Sequence, residues 1–238
     1  MKYFYSRLIL LLFMSSFYFP AYTQVASPEN YLNDIKSGLM VQWPQNKTIN
    51  LVFHGHSVPA GYFVTPVVNT IDSYPFLVLS NLKAEYPFAV INSINTSIGG
   101  ENSVSGQKRF KQDVLRFKPD VLFVDYALND RGIGLEASKK AWELMIKAAL
   151  KLNIKVILLT PSPDQSVDIL ENHTDLDKHA GQIRHLAADY GVGLIDSYAL
   201  FKQKVREGGQ LESYMSQVNH PNKKGHELIA IEIMSYFK

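Results

Sequence analysis

The stretch LVFHGHSVPAGYF, residues Leu51–Phe63, runs from an apolar segment into a turn that carries a serine. Its first residues belong to TINLVFH (Thr48–His54), which is apolar enough to form a strand covered on both faces of a sheet. Gly55 ends this run, and Ser57 follows two residues later. In open parallel sheets ligands bind beyond the carboxyl ends of the strands. The sequence therefore places Ser57 where a reactive side chain is expected.

Four more runs of the same kind follow along the chain. They are FAVINSI (Phe88–Ile94), DVLFVDYA (Asp120–Ala127), IKVILLT (Ile154–Thr160) and VGLID (Val192–Asp196). Segments with helical spacing alternate with these runs, from near Pro75 to just before Pro87 and over Ser103–Pro119, Leu135–Asn153, Asp175–Gly191 and Asn222–Phe237. This alternation predicts an α/β protein in which a five-stranded parallel sheet has helices on both faces, as a three-layer α/β/α sandwich.

The first residues of the chain have the features of a signal peptide. Lys2 and Arg7 give a positive start, and Leu8–Phe19 is an apolar run that is short for a membrane span. We therefore expect residues 1–23 to be removed and residues 24–238 to form a single domain of an exported protein, periplasmic or secreted. The alternative is an uncleaved membrane anchor, since the apolar run is of marginal length.

The composition excludes several classes of site and partner. The chain has no cysteine, which excludes a disulfide framework, a thiol nucleophile and a zinc site made of cysteines. The formal net charge is only +2 and no run of lysine or arginine stands out, so we expect neither a nucleic-acid partner nor stable membrane insertion after signal cleavage. No cofactor is indicated.

Loops that follow the predicted strands or precede the last helix carry the groups that acyl transfer needs: a hydroxyl, an imidazole and hydrogen-bond donors for an oxyanion. These groups are Ser57 after the first strand, Gly100 within NTSIGGENS (Asn95–Ser103), Asn129 within ALND (Ala127–Asp130) and His220 within QVNHPN (Gln217–Asn222).

Each of these residues also has a purely structural interpretation. Ser57 could be a turn serine, Gly100 a turn glycine, Asn129 a strand-end cap and His220 a surface residue before a helix. The common Gly-x-Ser-x-Gly nucleophile motif does not fit, because Pro59 stands where its second glycine would be.

Taken together and in this order, the four segments resemble the conserved blocks of the SGNH hydrolase family, the GDSL-type esterases and lipases. The resemblance spans Leu51 to the C-terminus. It implies a flavodoxin-like fold, with Ser57 as nucleophile and His220 as general base. It also implies that Gly100 and Asn129 supply the oxyanion hole, the former through its backbone amide and the latter through its side chain.

The chain departs from the family pattern beside the histidine. Gln217 stands where the family has an aspartate, three residues before His220. A carboxylate there would orient the ring and stabilise imidazolium. We therefore expect a Ser57–His220 dyad, with the ring held by the Gln217 amide oxygen or by a backbone carbonyl. A displaced acid, Asp164 or Glu212, is the alternative.

The second departure is His56, which replaces the family's aspartate before the serine. His54 and His56 are two residues apart and could share a metal ion, but no third ligand follows, and open metal sites usually have three protein ligands. We therefore expect no metal, with His54 in the core and His56 supporting the loop of Ser57.

The resemblance implies an ester hydrolase, in a family that covers lipases, thioesterases and carbohydrate O-acetylesterases. Export and the lack of an extended apolar lid favour short acyl groups, such as acetyl groups on a glycan. The loss of two acids at His56 and Gln217, with Arg131 beside Asn129, suggests an anionic glycan. Alternatives are a lipase or lysophospholipase, or a carbohydrate-binding protein with weakened catalysis. The sequence leaves the oligomeric state open.

Overall fold

The computed structural model describes residues 24–238, so the predicted signal peptide over residues 1–23 lies outside the described part of the chain. Five parallel strands form the central sheet, in the order β2-β1-β3-β4-β5. These strands are β1 (Thr48–Gly55), β2 (Val90–Asn95), β3 (Val121–Asp125), β4 (Lys155–Leu159) and β5 (Gly193–Ile195). A separate antiparallel pair consists of β6 (Met215–Gln217) and β7 (His220–Pro221).

Helices connect the strands and cover the sheet. They are α1 (Pro28–Tyr31), α2 (Asn33–Leu39), α3 (Ser57–Ala60), α4 (Tyr74–Glu85), α5 (Ser103–Asp113), α6 (Gly134–Leu150), α7 (Asp175–Tyr190), α8 (Ser197–Arg206) and α9 (Lys223–Met234). Between residues 24 and 238, no helix combines the length and the apolar character needed to cross a membrane.

Apolar side chains fill both faces of the sheet. Phe53 of β1 and Phe123 of β3 stack at 4.4 Å between ring centroids in the core that lies under α4 and α9. Val52 and Leu122, which alternate with them along the same strands, point to the other face and pack in the core that contains Trp142 of α6. Because both faces are buried, the strands β1, β3 and β4 are largely apolar. The edge strand β2 has the sequence VINSIN and is only partly buried, so the expectation that it is covered on both faces was wrong. The predicted three-layer sandwich is confirmed.

The structure differs from the predicted elements at the ends of some of them and in the presence of helices that were not predicted. The helix expected over Ser103–Pro119 stops at Asp113, and the chain then makes a 3₁₀ turn that ends at Lys118 in the left-handed region (φ 48°) before Pro119. The helix α8 was not predicted. It begins where the Asp196 side chain accepts a hydrogen bond from the Ala199 N–H, as an N-cap does.

The parallel order brings the carboxyl ends of the strands to one edge of the sheet. The ends of β1 and β3 are in register at Gly55 and Asp125, and β1 also pairs with β2 up to Asn95. The loops after β1, β2 and β3 therefore start side by side. The segments that carry Ser57, Gly100 and Asn129 begin at this edge.

Candidate active site

Ser57 is presented by a sharp turn at the end of β1. A Cβ atom on Gly55 would lie 2.3 Å from the backbone oxygen of Asp125, so only glycine allows β1 and β3 to approach this closely. Ser57 then begins α3, and Gly61 ends it in the left-handed conformation (φ 93°). Ser57 is 8% exposed. The turn fixes the hydroxyl at the edge of the sheet.

His220 lies against this hydroxyl, and 2.8 Å separates its Nε2 from the Ser57 Oγ. The residue belongs to β7, which pairs with β6, and Asn222 just beyond it caps α9 by accepting a hydrogen bond from the Gly225 N–H. Backbone pairing on one side and the helix cap on the other therefore fix the position of His220. This distance is within the range expected for a nucleophile and its base.

Two groups face the other ring nitrogen of His220, Nδ1. The backbone carbonyl of Phe63 lies at 3.0 Å and the side-chain amide nitrogen of Gln217 at 2.8 Å. Because a carbonyl can only accept, the Phe63 contact favours a hydrogen on Nδ1 and leaves a lone pair on Nε2 for the serine proton. The Gln217 amide nitrogen is itself a donor, so it makes no hydrogen bond to Nδ1 in this tautomer. This is the tautomer that a general base requires.

Of the two acceptors expected for the ring, the Gln217 amide oxygen does not face it. That oxygen accepts a hydrogen bond from the Thr65 N–H at 2.9 Å, which turns the amide nitrogen toward His220. Of the two acceptors that we considered, the backbone carbonyl is the one present, and it belongs to Phe63.

The structure does not place either candidate acid on the ring. Asp164 receives hydrogen bonds from Arg131 (2.6 Å) and from the backbone N–H and hydroxyl of Ser166. Glu212 is exposed and lines a different cavity. Across residues 24–238, no carboxylate hydrogen-bonds His220, because the loop after β4 directs Asp164 toward Arg131 instead.

Burial lowers the pKa of His220 below its ordinary value of 6.5, although its hydrogen bond to the Phe63 carbonyl acts in the opposite direction. The imidazole is therefore neutral, and able to accept a proton, at lower pH than a free histidine.

On the opposite side of the site lie Gly100 and Asn129. Gly100 has a φ of 78°, a left-handed conformation that favours glycine, and its added Cβ would meet no atom within 4 Å. Asn129 begins a 3₁₀ turn after β3, and its side-chain nitrogen donates to the backbone oxygen of Glu101 at 2.9 Å. One of the two N–H hydrogens of this amide is thus used to orient it, which leaves the second.

The four predicted site residues meet in one cavity of about 420 Å³. Its lining consists of Ser57, Gly100, Asn129 and His220 together with Tyr62, Thr65, Gly99, Gln217 and Asn219. None of these side chains carries a charge when His220 is unprotonated. The arrangement can activate a serine hydroxyl and offer donors to an oxygen that becomes negative.

Sequence reasoning missed three residues that shape this site. Tyr62 closes one wall: its ring lies 3.0 Å from the position of a Cβ on Gly99. Thr65 orients Gln217, and Phe63 acts only through its backbone carbonyl. A backbone carbonyl has no sequence signature, so only the path of the loop after α3 reveals it.

The two histidines beside the serine have separate surroundings. His56 Nδ1 accepts a hydrogen bond from the Val58 N–H (3.3 Å) and so caps α3, while its Nε2 lies 3.4 Å from the carboxylate of Asp125. This is the predicted support of the serine loop. His54 is 1% exposed in the core, and burial, with a smaller effect of Arg109, lowers its pKa to about 3. Among the described residues, no group of three or more candidate ligands could hold a metal ion.

Asp130, next to Asn129, is fully buried and ties the turn to two neighbouring helices. Its carboxylate accepts hydrogen bonds from the Ser103 N–H at the start of α5 (2.8 Å) and from the Trp142 indole of α6 (2.7 Å). Burial raises its pKa. Its role in this geometry is to hold the turn that presents Asn129.

Comparison with known proteins gives a family match for most of the chain. A family model described as the GDSL-like Lipase/Acylhydrolase family matches residues 53–228, which include all four site residues. The sequence matches no curated protein.

Solved structures share the fold at low sequence identity. The acetylxylan esterase Axe2 from Geobacillus stearothermophilus has a TM-score of 0.68 at 21% identity, over 79% of this chain and 94% of its own. A putative GDSL-like lipase from Parabacteroides merdae has a TM-score of 0.66 at 18% identity, over 83% of this chain and 99% of its own. A two-domain esterase active on acetylated mannans has a TM-score of 0.69 at 19% identity, over 88% of this chain and 54% of its own. Since the family model spans well over half of the sequence, the chain belongs to the GDSL-like lipase/acylhydrolase family and is an ester hydrolase.

Proposed function

We propose that this protein is an exported serine esterase that removes short acyl groups, above all acetyl groups, from carbohydrates. The observation that carries the proposal is the 2.8 Å contact between the Ser57 hydroxyl and His220 Nε2, in a cavity that also contains Gly100 and Asn129. The reaction is hydrolysis through an acyl-enzyme, and no cofactor takes part.

In the first half of the reaction, His220 Nε2 takes the proton from the Ser57 hydroxyl as the oxygen bonds to the ester carbonyl carbon. The carbonyl oxygen becomes negative and is held by the second N–H of the Asn129 amide and by the backbone N–H groups of Gly100 and Ser57. When the tetrahedral intermediate collapses, the bond to the sugar oxygen breaks and the sugar hydroxyl takes its proton from His220. The acyl group stays on Ser57.

In the second half, a water molecule gives a proton to His220 and attacks the acyl carbon. The bond to the serine oxygen then breaks, the serine recovers its proton from His220, and the carboxylic acid leaves. The Phe63 carbonyl supports the imidazolium formed in both halves by accepting the Nδ1 hydrogen bond (3.0 Å).

The cavity favours a small acyl group on a neutral, hydroxyl-rich alcohol. Its volume of about 420 Å³ is modest, and amide and hydroxyl side chains dominate its lining. The anionic glycan suggested by Arg131 loses its support, because the Arg131 guanidinium is paired with Asp164 at 2.6 Å. Acetylated neutral polysaccharides, the substrates named for two of the structural neighbours, therefore fit better than acidic ones.

One observation favours a second candidate, a lipase or lysophospholipase. Three exposed aliphatic side chains sit next to cavity residues along the chain: Val64 (54% exposed), Ile98 (50%) and Val218 (52%). Such a rim could hold a longer acyl chain. Activity that rises from p-nitrophenyl acetate to the octanoate and decanoate esters would favour this candidate, whereas a steep fall beyond butyrate supports the acetylesterase.

The proposal is tested with acetylated xylan, acetylated mannan and an acetylated acidic polysaccharide, and with a fluorophosphonate probe. We expect acetate release from the neutral polymers and labelling of Ser57. Ser57→Ala should lose both, while Ser138→Ala, at another buried serine in α6, should lose neither. A wild-type protein that neither turns over esters nor reacts with the probe would instead be a carbohydrate-binding protein with weakened catalysis.

Export is a separate part of the proposal. It rests on the apolar run Leu8–Phe19 behind Lys2 and Arg7. Mass spectrometry of the protein recovered outside the cytoplasm should give a mature N-terminus close to residue 24. A full-length N-terminus in the membrane fraction would indicate an anchor instead.

A further inference from the structure

Glu101 directly follows Gly100, and its side chain is held by an arginine in the interior. The Arg109 Nε lies 2.8 and 3.0 Å from the two Glu101 carboxylate oxygens, and a terminal nitrogen of the same guanidinium also contacts the carboxylate. The Glu101 side chain is only 10% exposed and that of Arg109 17%. A bidentate pair that is this shielded from water fixes the geometry of both groups.

The same carboxylate accepts a hydrogen bond from the Tyr126 hydroxyl at 2.9 Å, and this hydroxyl lies 3.1 Å from His54 Nε2. His54 Nε2 also faces the Gly106 carbonyl at 3.2 Å, which can only accept, so the hydrogen of the neutral ring is on Nε2. Its Nδ1 faces the Thr96 hydroxyl, 2.9 Å away, and this hydroxyl also contacts the Phe53 carbonyl at 3.1 Å. Polar contacts thus connect Thr96 to Glu101 through His54 and Tyr126.

These contacts fasten both ends of one loop. Thr96 and Glu101 bound the segment that contains Gly100, and His54 and Tyr126 join them through the interior. We call these residues, with Arg109, the loop anchor. The loop anchor also requires glycine at position 106, since a Cβ there would lie 2.2 Å from the Tyr126 hydroxyl.

The backbone oxygen of Glu101 accepts the hydrogen bond from the Asn129 side chain at 2.9 Å. The anchored residue thus touches one proposed oxyanion donor and is the neighbour in sequence of the other, Gly100. No hydrogen bond of the loop anchor involves Ser57 or His220. Its effect on the reaction must therefore pass through the oxyanion side of the cavity.

We propose that Glu101 is a positioning residue of the oxyanion hole: its buried contacts with Arg109 and Tyr126 hold the Asn129 amide and the Gly100 backbone in place. This inference rests on the proposed function. Oxyanion donors contribute most when they are already oriented before charge develops, and a loop without regular structure needs such an anchor.

The test measures kcat and KM for p-nitrophenyl acetate in Glu101→Ala, Glu101→Gln and Tyr126→Phe. For Glu101→Ala we expect kcat to fall about 10- to 100-fold with KM changed less than about threefold, since an oxyanion donor contributes roughly 10²–10³ in kcat. Glu101→Gln and Tyr126→Phe, which keep the shape of the side chain, should lose less, about three- to tenfold.

Asp113→Asn is the matched control. Asp113 is the second carboxylate on Arg109 (3.4 Å), but it lies outside the loop. We expect the kcat of Asp113→Asn to stay within about twofold of the wild type, because surface substitutions away from buried networks usually have small effects. If Asp113→Asn and Glu101→Ala lower kcat equally, the loss belongs to Arg109 and the fold, and the inference is wrong.

A double-mutant cycle with Asn129→Ala separates positioning from general destabilisation. If Glu101 acts through the oxyanion hole, Glu101→Ala should cost much less in kcat in the Asn129→Ala background than in the wild type. Equal costs in the two backgrounds would overturn the inference. Ser57→Ala reports on the proposed function separately: if that variant keeps full activity, the proposed function fails whatever the cycle shows.

Discussion

The two sides of the cavity are held in different ways. On the imidazole side, the contacts of the His220 ring are neutral: the Ser57 hydroxyl, the Phe63 carbonyl and the Gln217 amide. On the side of Gly100 and Asn129, the proposed oxyanion donors, Glu101 and Asp130 contribute shielded carboxylates, and Glu101 is paired with Arg109. The family resemblance leads us to expect a carboxylate beside the imidazole, but no carboxylate contacts the His220 ring. The two shielded carboxylates lie on the other side, where the resemblance does not require one.

The reason lies in the local backbone. His220 sits in a paired strand and next to a helix cap, so the main chain already restrains it. The loop from Thr96 to Glu101 belongs to no strand or helix, and side chains must supply the restraint. Buried ion pairs cost desolvation, but they fix one geometry when they are fully hydrogen-bonded. Of the two regions, the buried charged groups therefore lie beside the loop, where regular backbone structure provides the least restraint.

The largest expected effect comes from removing the imidazole. His220→Ala should lower kcat by at least about 10⁴-fold, because a serine hydroxyl without its base is a poor nucleophile. Steady-state hydrolysis of p-nitrophenyl acetate measures this loss. His185→Ala, an exposed histidine of α7, is the control and should be unchanged. Substantial activity in His220→Ala would mean that another base serves Ser57.

On the oxyanion side, Asn129→Ala should lower kcat by roughly 10²–10³-fold, the usual cost of one donor. Asn219 lines the same cavity and offers a matched control. Asn219→Ala should change KM more than kcat, because we place no developing charge beside it. Equal losses of kcat in the two variants would show that the oxyanion binds elsewhere in the cavity.

A carboxylate on the imidazole side should remove the contrast between the two sides. In Gln217→Glu, one oxygen can accept from the Thr65 N–H and the other from His220 Nδ1, where the amide nitrogen now lies at 2.8 Å. Stabilised imidazolium should raise kcat by about tenfold, a small part of the roughly 10⁴-fold that a triad aspartate contributes elsewhere.

The same variant should shift the pH profile. A negative charge next to the ring raises the pKa of His220, so the half-maximal point of kcat/KM moves to higher pH. Gln217→Ala is the control and should cost less than about threefold in kcat, since this side chain supplies no acceptor to the ring. No gain in Gln217→Glu would mean that the Phe63 carbonyl already suffices.

The smallest effect is the pH dependence of the wild type. Burial lowers the pKa of His220 below 6.5, and the base acts only when neutral. The acidic limb of kcat/KM for p-nitrophenyl acetate should therefore have its midpoint below pH 6.5, with activity rising as pH increases through that midpoint. A midpoint above 6.5 would indicate an acid near the ring that the structure does not contain.

Much of the fold was predictable because its signals are local. The run Thr48–His54 has the composition of a strand buried on both faces, and the helix over Asp175–Gly191 ends at the predicted glycine cap. The segment of α8 was missed, and the helix at Ser103 was drawn too long. Its end depends on the left-handed Lys118 rather than on the spacing of apolar residues.

The meeting of Ser57, Gly100, Asn129 and His220 was also predictable, since each follows a strand end or matches a family block. Short-range pattern and strand order are enough for that, because parallel strands bring their carboxyl ends to one edge. What holds these groups was not predictable. The Phe63 carbonyl reaches His220 across 157 positions of sequence, and Tyr126 reaches His54 across 72.

Such contacts depend on the path of the loops and on which donors and acceptors become neighbours in the folded chain. The Thr65 N–H takes the Gln217 oxygen and thereby turns the amide nitrogen toward the ring, although residue type alone allows either orientation. Local composition thus decided where the strands, helices and reactive residues of this protein lie. Packing between distant segments decided how His220 and the loop from Thr96 to Glu101 are held, because the direction of a hydrogen bond depends on which groups are neighbours in three dimensions.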